Sequence, residues 1–153
     1  MSKTPTFELQ EAHKYFAAHC FNSTLDFIEK KSHTPEEVDQ MIQLCMTSLW
    51  HWSQRTDATP KNFAVGYWQA SRVFALAGKV DEARKYGQLS LEKGQGLEPF
   101  YVGYAYEALA RSEMVAGNRR KMNEFLGKAR ELCTKVTDAE EKKLLTNDLE
   151  TIK

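Results

Sequence analysis

The chain has 153 residues, of which 42% are hydrophobic and 27% charged, and its 21 basic residues balance its 21 acidic ones. This is the composition of one globular domain, and a chain without net charge has no overall field to draw it to nucleic acid or to anionic membranes. No apolar run approaches the roughly 20 residues of a membrane-spanning helix, and the polar stretch from Met1 to Leu9 is not patterned as a secretory signal. Three widely spaced cysteines (Cys20, Cys45 and Cys133) are typical of buried thiols, so we expect a cytoplasmic protein.

Apolar residues recur three and four positions apart along the whole chain, which predicts an all-α protein. A first helical hairpin is expected over residues 7–54. Its first helix runs to about Lys30, and the poor helix formers from Asn22 to Thr24 indicate a kink or break there. The second helix begins at Thr34 and Pro35, a capping residue and a proline suited to the first helical turn, and it ends near Gln54. The stripe predicted to be buried in the first helix consists of Leu9, Ala12, Phe16, Cys20, Phe27 and Ile28.

Two further hairpins are predicted at 60–92 and 99–134. Each starts at a proline, and in each a glycine, Gly78 or Gly117, ends the first helix. The very short turns that follow these glycines require antiparallel neighbours. A seventh helix at about 138–152, capped by Asp138, turns an apolar stripe towards the core: Leu145, Leu149 and Ile152.

The second and third hairpins resemble each other. Ala70-Ser71-Arg72, followed by Ala77-Gly78, recurs 39 residues later as Leu109-Ala110-Arg111, followed by Ala116-Gly117. A period in this range indicates stacked helical units. The stretch from Ala77 to Ala83 resembles the turn of a tetratricopeptide repeat (TPR), in which glycine ends one helix and a small residue lets the next pack closely. The resemblance implies a right-handed array of three antiparallel hairpins with a C-terminal capping helix, although this period exceeds the family's 34 residues and the first hairpin carries almost no motif.

In TPR stacks, the first helix of each hairpin lines a concave surface that binds a partner. Carried over by register, the resemblance implies a groove at Val65, Trp68, Arg72, Tyr104, Glu107 and Arg111. Arg72 and Arg111 then occupy equivalent positions on adjacent helices, where two guanidinium groups would suit a carboxylate or an acidic peptide. Alternatively, both arginines pair with neighbouring glutamates such as Glu107 and Glu113 and tie the helices together.

Two tryptophans, Trp50 and Trp52, lie close together near the end of the second helix. The helix directs them to different faces, so either one is an exposed aromatic anchor for a partner or both are interior packing.

The leading functional prediction is a non-enzymatic module that binds a protein or peptide, with no catalytic residue, cofactor or metal. An alternative of another class is a small helical metal-dependent hydrolase or transferase of the DinB-like kind, which would use His13, His51 and a carboxylate. No HExxH motif is present to support it, and no two histidines are four residues apart. A third possibility is a self-associating homodimer that buries the aromatic surface.

Overall fold

In the computed structural model, the described residues 3–153 form seven α-helices and no strand, which confirms the all-α prediction. Met1 and Ser2, at the start of the polar N-terminal stretch, lie outside the described residues. Among the helices that the structure describes, none combines the length and the apolar character needed to cross a membrane. The helices are α1 (Leu9–Ile28), α2 (Pro35–Gln54), α3 (Pro60–Leu76), α4 (Val80–Gly94), α5 (Pro99–Ala116), α6 (Arg119–Thr134) and α7 (Ala139–Glu150).

Helix α1 is continuous, so the predicted break between Asn22 and Thr24 is wrong. The Thr24 hydroxyl is fully buried and donates to the Cys20 carbonyl at 2.7 Å, so the helix itself satisfies this polar side chain. The predicted buried stripe is also wrong in part, because Leu9 and Phe16 are exposed. Helix α2 packs instead on a neighbouring face of α1, where Ser48 donates to the carbonyl of Ala17. The buried residues of α1 are His13, Ala17, Cys20 and Thr24.

The helix starts predicted at Pro35, Pro60 and Pro99 and the turns predicted at Gly78 and Gly117 agree with the structure, because they depend on local chemistry. Thr34 and Glu37 form a reciprocal capping box at the start of α2. Gly78 and Gly117 adopt positive φ angles of 73° and 74°, which a residue with a side chain rarely adopts. After Gly117, the chain turns sharply enough for the next amide to donate to the Glu113 carbonyl at 3.0 Å.

The helices pack as consecutive antiparallel pairs, α1 with α2, α3 with α4, and α5 with α6. The odd-numbered helices also contact one another in order, from α1 through α3 and α5 to α7. The largest apolar cluster lies between α5, α6 and α7, and the apolar stripe predicted for the seventh helix is buried in it. The odd-numbered helices thus form one layer, and this layer carries the cavity described next.

Candidate functional site

A cavity of about 470 Å³ lies along the layer of odd-numbered helices. Its walls are mainly aromatic and aliphatic, and an arginine and an aspartate are among the few charged groups that reach it. A volume of this size, with mostly apolar walls and few polar groups, is characteristic of ligand-binding sites. The principal wall residues are Phe21, Leu25 and Ile28 from α1, Val65, Trp68 and Arg72 from α3, Phe100, Tyr101 and Tyr104 from α5, and Leu144 and Asp148 from α7.

The structure divides the six predicted groove residues into two sets. Four lie on the cavity wall, namely Val65, Trp68, Arg72 and Tyr104. Glu107 and Arg111 are buried, and they do not line the cavity. The three residues predicted on α3 thus lie on the cavity wall, whereas Glu107 and Arg111, beyond Tyr104 on α5, belong to the interior.

Glu107 is the centre of a buried polar cluster and has no exposed surface. Its carboxylate accepts hydrogen bonds from Trp68 Nε1 at 2.9 Å, from Arg72 Nη1 at 3.2 Å and from Arg111 Nε at 2.7 Å. Both arginines thus pair with Glu107, as the second interpretation of the sequence expected. A fully buried carboxylate needs such partners, because burial without them is strongly unfavourable. The cluster therefore joins α3 to α5 directly behind the cavity wall.

Glu113, which that interpretation also assigned to the two arginines, binds Arg84 of α4 instead. The two side chains form a bidentate pair, with Nε–Oε1 and Nη2–Oε2 distances of 2.8 and 3.0 Å. The Arg84 hydrogen bonds hold the pKa of Glu113 below its usual range. The Arg84 side chain is partly exposed, but its guanidinium joins α4 to a buried carboxylate on α5.

Helix α7 is attached to the same cluster from the other side. The Tyr104 hydroxyl donates to Asp148 Oδ2 at 2.6 Å, and Arg111 Nη2 donates to the Asp148 carbonyl and to Thr151 Oγ1. Burial, together with the hydrogen bond to Asp148, raises the pKa of Tyr104, so this hydroxyl remains a donor at neutral pH. The helix predicted only as a cap is therefore also part of the cavity wall.

Arg72 is the group on the wall whose hydrogen bonding is incomplete. Only 15% of its side chain is exposed, and within residues 3–153 its Nε is buried without a partner. Burial, and then the nearby charge of Arg111, lower the pKa of Arg72. A guanidinium nevertheless stays charged in proteins, so Arg72 presents a positive group at the wall of a largely apolar cavity.

A second surface lies at the far side of α1, and we call it the aromatic end: Tyr15, Phe16, His19, Trp50 and His51. Its rings are in mutual contact, with His19 stacked on Tyr15, Phe16 stacked on His51, and Trp50 edge-on to His51. Trp50 is 55% exposed and Tyr15 is 60% exposed. Trp52 is less exposed, and its ring packs under the guanidinium of Arg55 at 3.9 Å. Of the two tryptophans, Trp50 thus has the greater free surface.

The two histidines of the enzymatic alternative meet next to this surface. His13 Nδ1 lies 2.9 Å from His51 Nδ1. Burial, and then the neighbouring His13, lower the pKa of His51, which favours its neutral form. Over residues 3–153, no group of three or more His, Cys, Asp or Glu side chains is placed to hold a metal ion. Catalytic zinc sites commonly use three protein ligands, and the carboxylate that this alternative requires is not beside the pair.

Comparison of the chain with models of known protein families, with curated proteins and with solved structures finds no match. The interpretation of the site therefore rests on its geometry. Sequence reasoning missed the contributions of α1 and α7, among them Phe21, Leu144 and Asp148. The spacing of Leu145 and Leu149 indicated the buried side of α7. No local signal indicated that a second side of α7, with Leu144 and Asp148, lines the cavity.

Proposed function

We propose that this protein is a non-enzymatic interaction module of the TPR-like kind, which binds a peptide segment of a partner protein in the cavity of its odd-numbered helices. In such an array, the first helices of successive hairpins line a concave surface. The order of contacts supports this arrangement, since α1, α3, α5 and α7 touch in sequence, while each even-numbered helix packs on its own partner and on the next odd-numbered helix and none of the described even-numbered helices contacts another. The glycine turns at equivalent positions of two hairpins support it as well.

The observation that carries the proposal is the cavity itself. Aromatic walls around a recess of about 470 Å³ suit a bulky apolar side chain, because such anchors provide much of the affinity in peptide recognition. Arg72 is the positive group among wall residues that also include Glu29 and Asp148, so an acidic or carboxylate feature of the peptide is placed at Arg72, beside the apolar anchor. The Glu107 cluster holds the wall in place, because it fixes both Trp68 and Arg72.

A peptide selection tests this function. Peptides are selected from a displayed random library on the immobilised protein, and their affinities are measured by titration. Val65→Asp places a charge on the cavity wall of α3 and should weaken binding about tenfold or more, as expected for loss of a central apolar contact. Leu76→Asp is the matched control, because Leu76 lies on the same helix, is exposed and does not line the cavity.

Two results would contradict the proposal. One is a failure to select any peptide. The other is a set of peptides whose affinity drops equally in the Val65→Asp and Leu76→Asp variants, which would place the binding surface elsewhere. Circular dichroism of both variants verifies that the helical fold is retained.

A second candidate function is self-association through the aromatic end, with a second copy of this chain as the occupant. On α1, Phe16 lies on roughly the opposite side from Leu25, which faces the cavity, so this surface is at the open end of the odd-numbered layer. The other end of the layer is α7, whose exposed positions include Glu140, Lys142 and Lys143, and a charged surface does not complement exposed aromatic rings. Two aromatic ends match each other, and such pairing gives a closed twofold dimer.

Sedimentation velocity at increasing protein concentration tests this candidate. The expected result is a monomer–dimer equilibrium that Trp50→Gln shifts towards the monomer, because the substitution removes the most exposed large ring of α2 from the interface. Leu144→Gln is the control, since Leu144 is equally exposed but lies at the other end of the layer. A protein that stays monomeric at all concentrations, or a dimer unaffected by Trp50→Gln, would rule out the aromatic end as the interface.

A further inference from the structure

The cavity wall contains aromatic rings that meet at steep angles. Trp68 and Tyr104 pack edge to face, with ring centroids 5.3 Å apart and an angle of 74° between their planes. Phe100 and Tyr104 pack in the same way, at 5.1 Å and 79°. All three rings line the cavity, and they form one corner of it. The face of an aromatic ring carries partial negative charge, so a corner of this kind attracts cations as well as apolar groups.

Two carboxylates with unused acceptor atoms lie on the same wall. Asp148 accepts the Tyr104 hydroxyl through Oδ2, and no group within residues 3–153 donates to its other oxygen, Oδ1. Of the side-chain polar atoms in these residues, only Arg72 Nε is buried without a partner, so the half-buried Asp148 keeps Oδ1 open to solvent. Glu29, the C-terminal cap of α1, is exposed and forms no ion pair in the described part of the chain.

The charges on the wall and in the buried cluster behind it do not balance. Two positive groups lie there, Arg72 and Arg111, and both pair with Glu107. Three negative groups accompany them, namely Glu107, Asp148 and Glu29. The region therefore carries one net negative charge, and charges beside an apolar recess are screened less than charges on an open surface. A cation is the ligand whose charge complements this wall.

Basic side chains elsewhere in the protein show how it holds a cation. Lys61 Nζ lies 4.7 Å from the ring centroid of Tyr101 and 3.1 Å from Glu98 Oε1. The guanidinium of Arg55 lies over the ring of Trp52 at 3.9 Å and also binds an aspartate. Each cation thus combines an aromatic face with a carboxylate. The cavity offers the same two partners, and no lysine of the described residues lines it.

We infer that the cavity binds a small arylalkylammonium ion, whose N–H groups donate to Asp148 while its apolar body lies against the rings of Trp68 and Phe100. Glu29 adds a second negative charge to the wall. The volume of about 470 Å³ is within the range of small-molecule sites. This inference rests on the same cavity as the proposed function, but it requires no peptide and depends on Asp148, whereas the acidic feature of a peptide is placed at Arg72.

Four probes separate the contributions of charge and of the apolar body: 2-phenylethylammonium, its uncharged analogue 2-phenylethanol, the anion 3-phenylpropionate, and ethylammonium, which lacks the ring. Binding is measured at neutral pH by isothermal titration calorimetry. We expect 2-phenylethylammonium to bind about tenfold or more tightly than 2-phenylethanol, because only the ammonium gains charge-assisted hydrogen bonds and the attraction of the ring faces. The anion should bind no better than the alcohol, and ethylammonium should bind more weakly than 2-phenylethylammonium.

Asp148→Asn is the decisive variant, because it removes the charge and keeps an oxygen that accepts from Tyr104. We expect its affinity for 2-phenylethylammonium to fall about fivefold or more, and its affinity for 2-phenylethanol to stay unchanged. Glu150→Gln is the matched control, because Glu150 is an exposed carboxylate two residues further along α7 and does not line the cavity. This control should bind like the unmodified protein.

Thermal unfolding of each variant establishes that it is folded. If Asp148→Asn does not fold, Glu29→Gln is the second variant, since Glu29 is exposed and its substitution breaks no contact among the described residues. We expect Glu29→Gln to lower the affinity for 2-phenylethylammonium about twofold to threefold, a smaller loss because an exposed charge contributes less than a half-buried one.

Equal affinity for 2-phenylethylammonium and 2-phenylethanol, or an undiminished affinity of a folded Asp148→Asn variant, would overturn the inference. Tighter binding of 3-phenylpropionate than of 2-phenylethylammonium would overturn it too, because the cavity would then select anions. The outcomes for the two proposals are separable. If selected peptides bind at the cavity and 2-phenylethylammonium does not, this inference fails alone. If 2-phenylethylammonium binds through Asp148 and no peptide is ever selected, the proposed peptide-binding function fails and the ammonium site remains.

Discussion

Glu107 is the residue on which the geometry of the site depends most directly. Its carboxylate is fully buried, and it compensates two guanidinium groups while also fixing the indole of Trp68. Removing one partner from a buried ionic cluster leaves the others charged and unpaired, which is far more costly than losing an exposed ion pair. Glu107 therefore supports both the stability of the fold and the orientation of the cavity wall.

We predict that Glu107→Gln lowers the free energy of unfolding by about 3 to 5 kcal/mol, as expected for a broken buried ion pair. Urea denaturation followed by circular dichroism measures this change. Glu124→Gln is the matched control, because Glu124 is exposed and lies 4.0 Å from Lys128 in a surface pair. It should change stability by less than about 0.5 kcal/mol. A Glu107→Gln variant as stable as the Glu124→Gln variant would show that the cluster does not stabilise the fold.

At the scale of the elements, the sharp ends of α3 and α5 determine how closely the hairpins fold back. Gly117 is in the left-handed region at φ 74°, and a β-carbon there would meet no neighbouring atom within 4 Å. The cost of a substitution at this position is thus conformational and does not come from crowding. An L-residue in this conformation loses about 1 to 2 kcal/mol.

We predict that Gly117→Ala destabilises the protein by this amount of about 1 to 2 kcal/mol. Gly127→Ala is the control within α6, since Gly127 is exposed and a β-carbon there also meets nothing within 4 Å. Its backbone is helical, so alanine should leave stability unchanged or raise it by up to about 1 kcal/mol. The same chemical change is then expected to destabilise the protein at Gly117 and not at Gly127, and equal effects in thermal melts would refute the conformational explanation.

At the scale of the whole molecule, stability should depend on pH in two separate ranges. The pKa of His51 is lowered in the folded protein from its ordinary value of 6.5. Below that pH the unfolded chain takes up a proton that the folded protein resists, so stability is complete above about pH 6.5 and falls as the solution is acidified. Glu113 acts in a lower range, because its lowered folded pKa gives stability above about pH 4.5 that is lost on further acidification.

We predict that the urea midpoint falls between pH 7.5 and 5.5 and that His51→Gln reduces this fall, since the variant lacks the imidazole that the folded state keeps neutral. The decline at still lower pH should persist in His51→Gln and diminish in Glu113→Gln. A profile between pH 7.5 and 5.5 that is identical with and without His51 would contradict the assignment.

Some features of the fold and of the cavity could be predicted from the sequence, and others could not. Caps such as Thr34 and stop signals such as Gly117 were predicted because their chemistry involves only adjacent residues. The buried face of α1 was not, because it depends on hydroxyl groups of α1 and α2, on Thr24 and Ser48, that donate to backbone carbonyls of α1. Four of the predicted groove residues lie on the cavity wall, and they were chosen from the spacing of the repeat alone. Asp148 could not be predicted in this way, because its position depends on a hydrogen bond from Tyr104, 44 residues away in the chain.

The attachment of α7 has a kinetic consequence for any occupant of the cavity. This shortest helix supplies Leu144 and Asp148 to the wall, and hydrogen bonds from Tyr104 and Arg111 hold it there. Among the described helices, α7 contacts only α5 and α6, and an element with little packing opens more often than the interior of a fold. Each time α7 detaches, one side of the recess is lost, so detachment of this helix opens a route by which a bound molecule leaves. Residence time in the site is therefore governed partly by residues that an occupant does not touch.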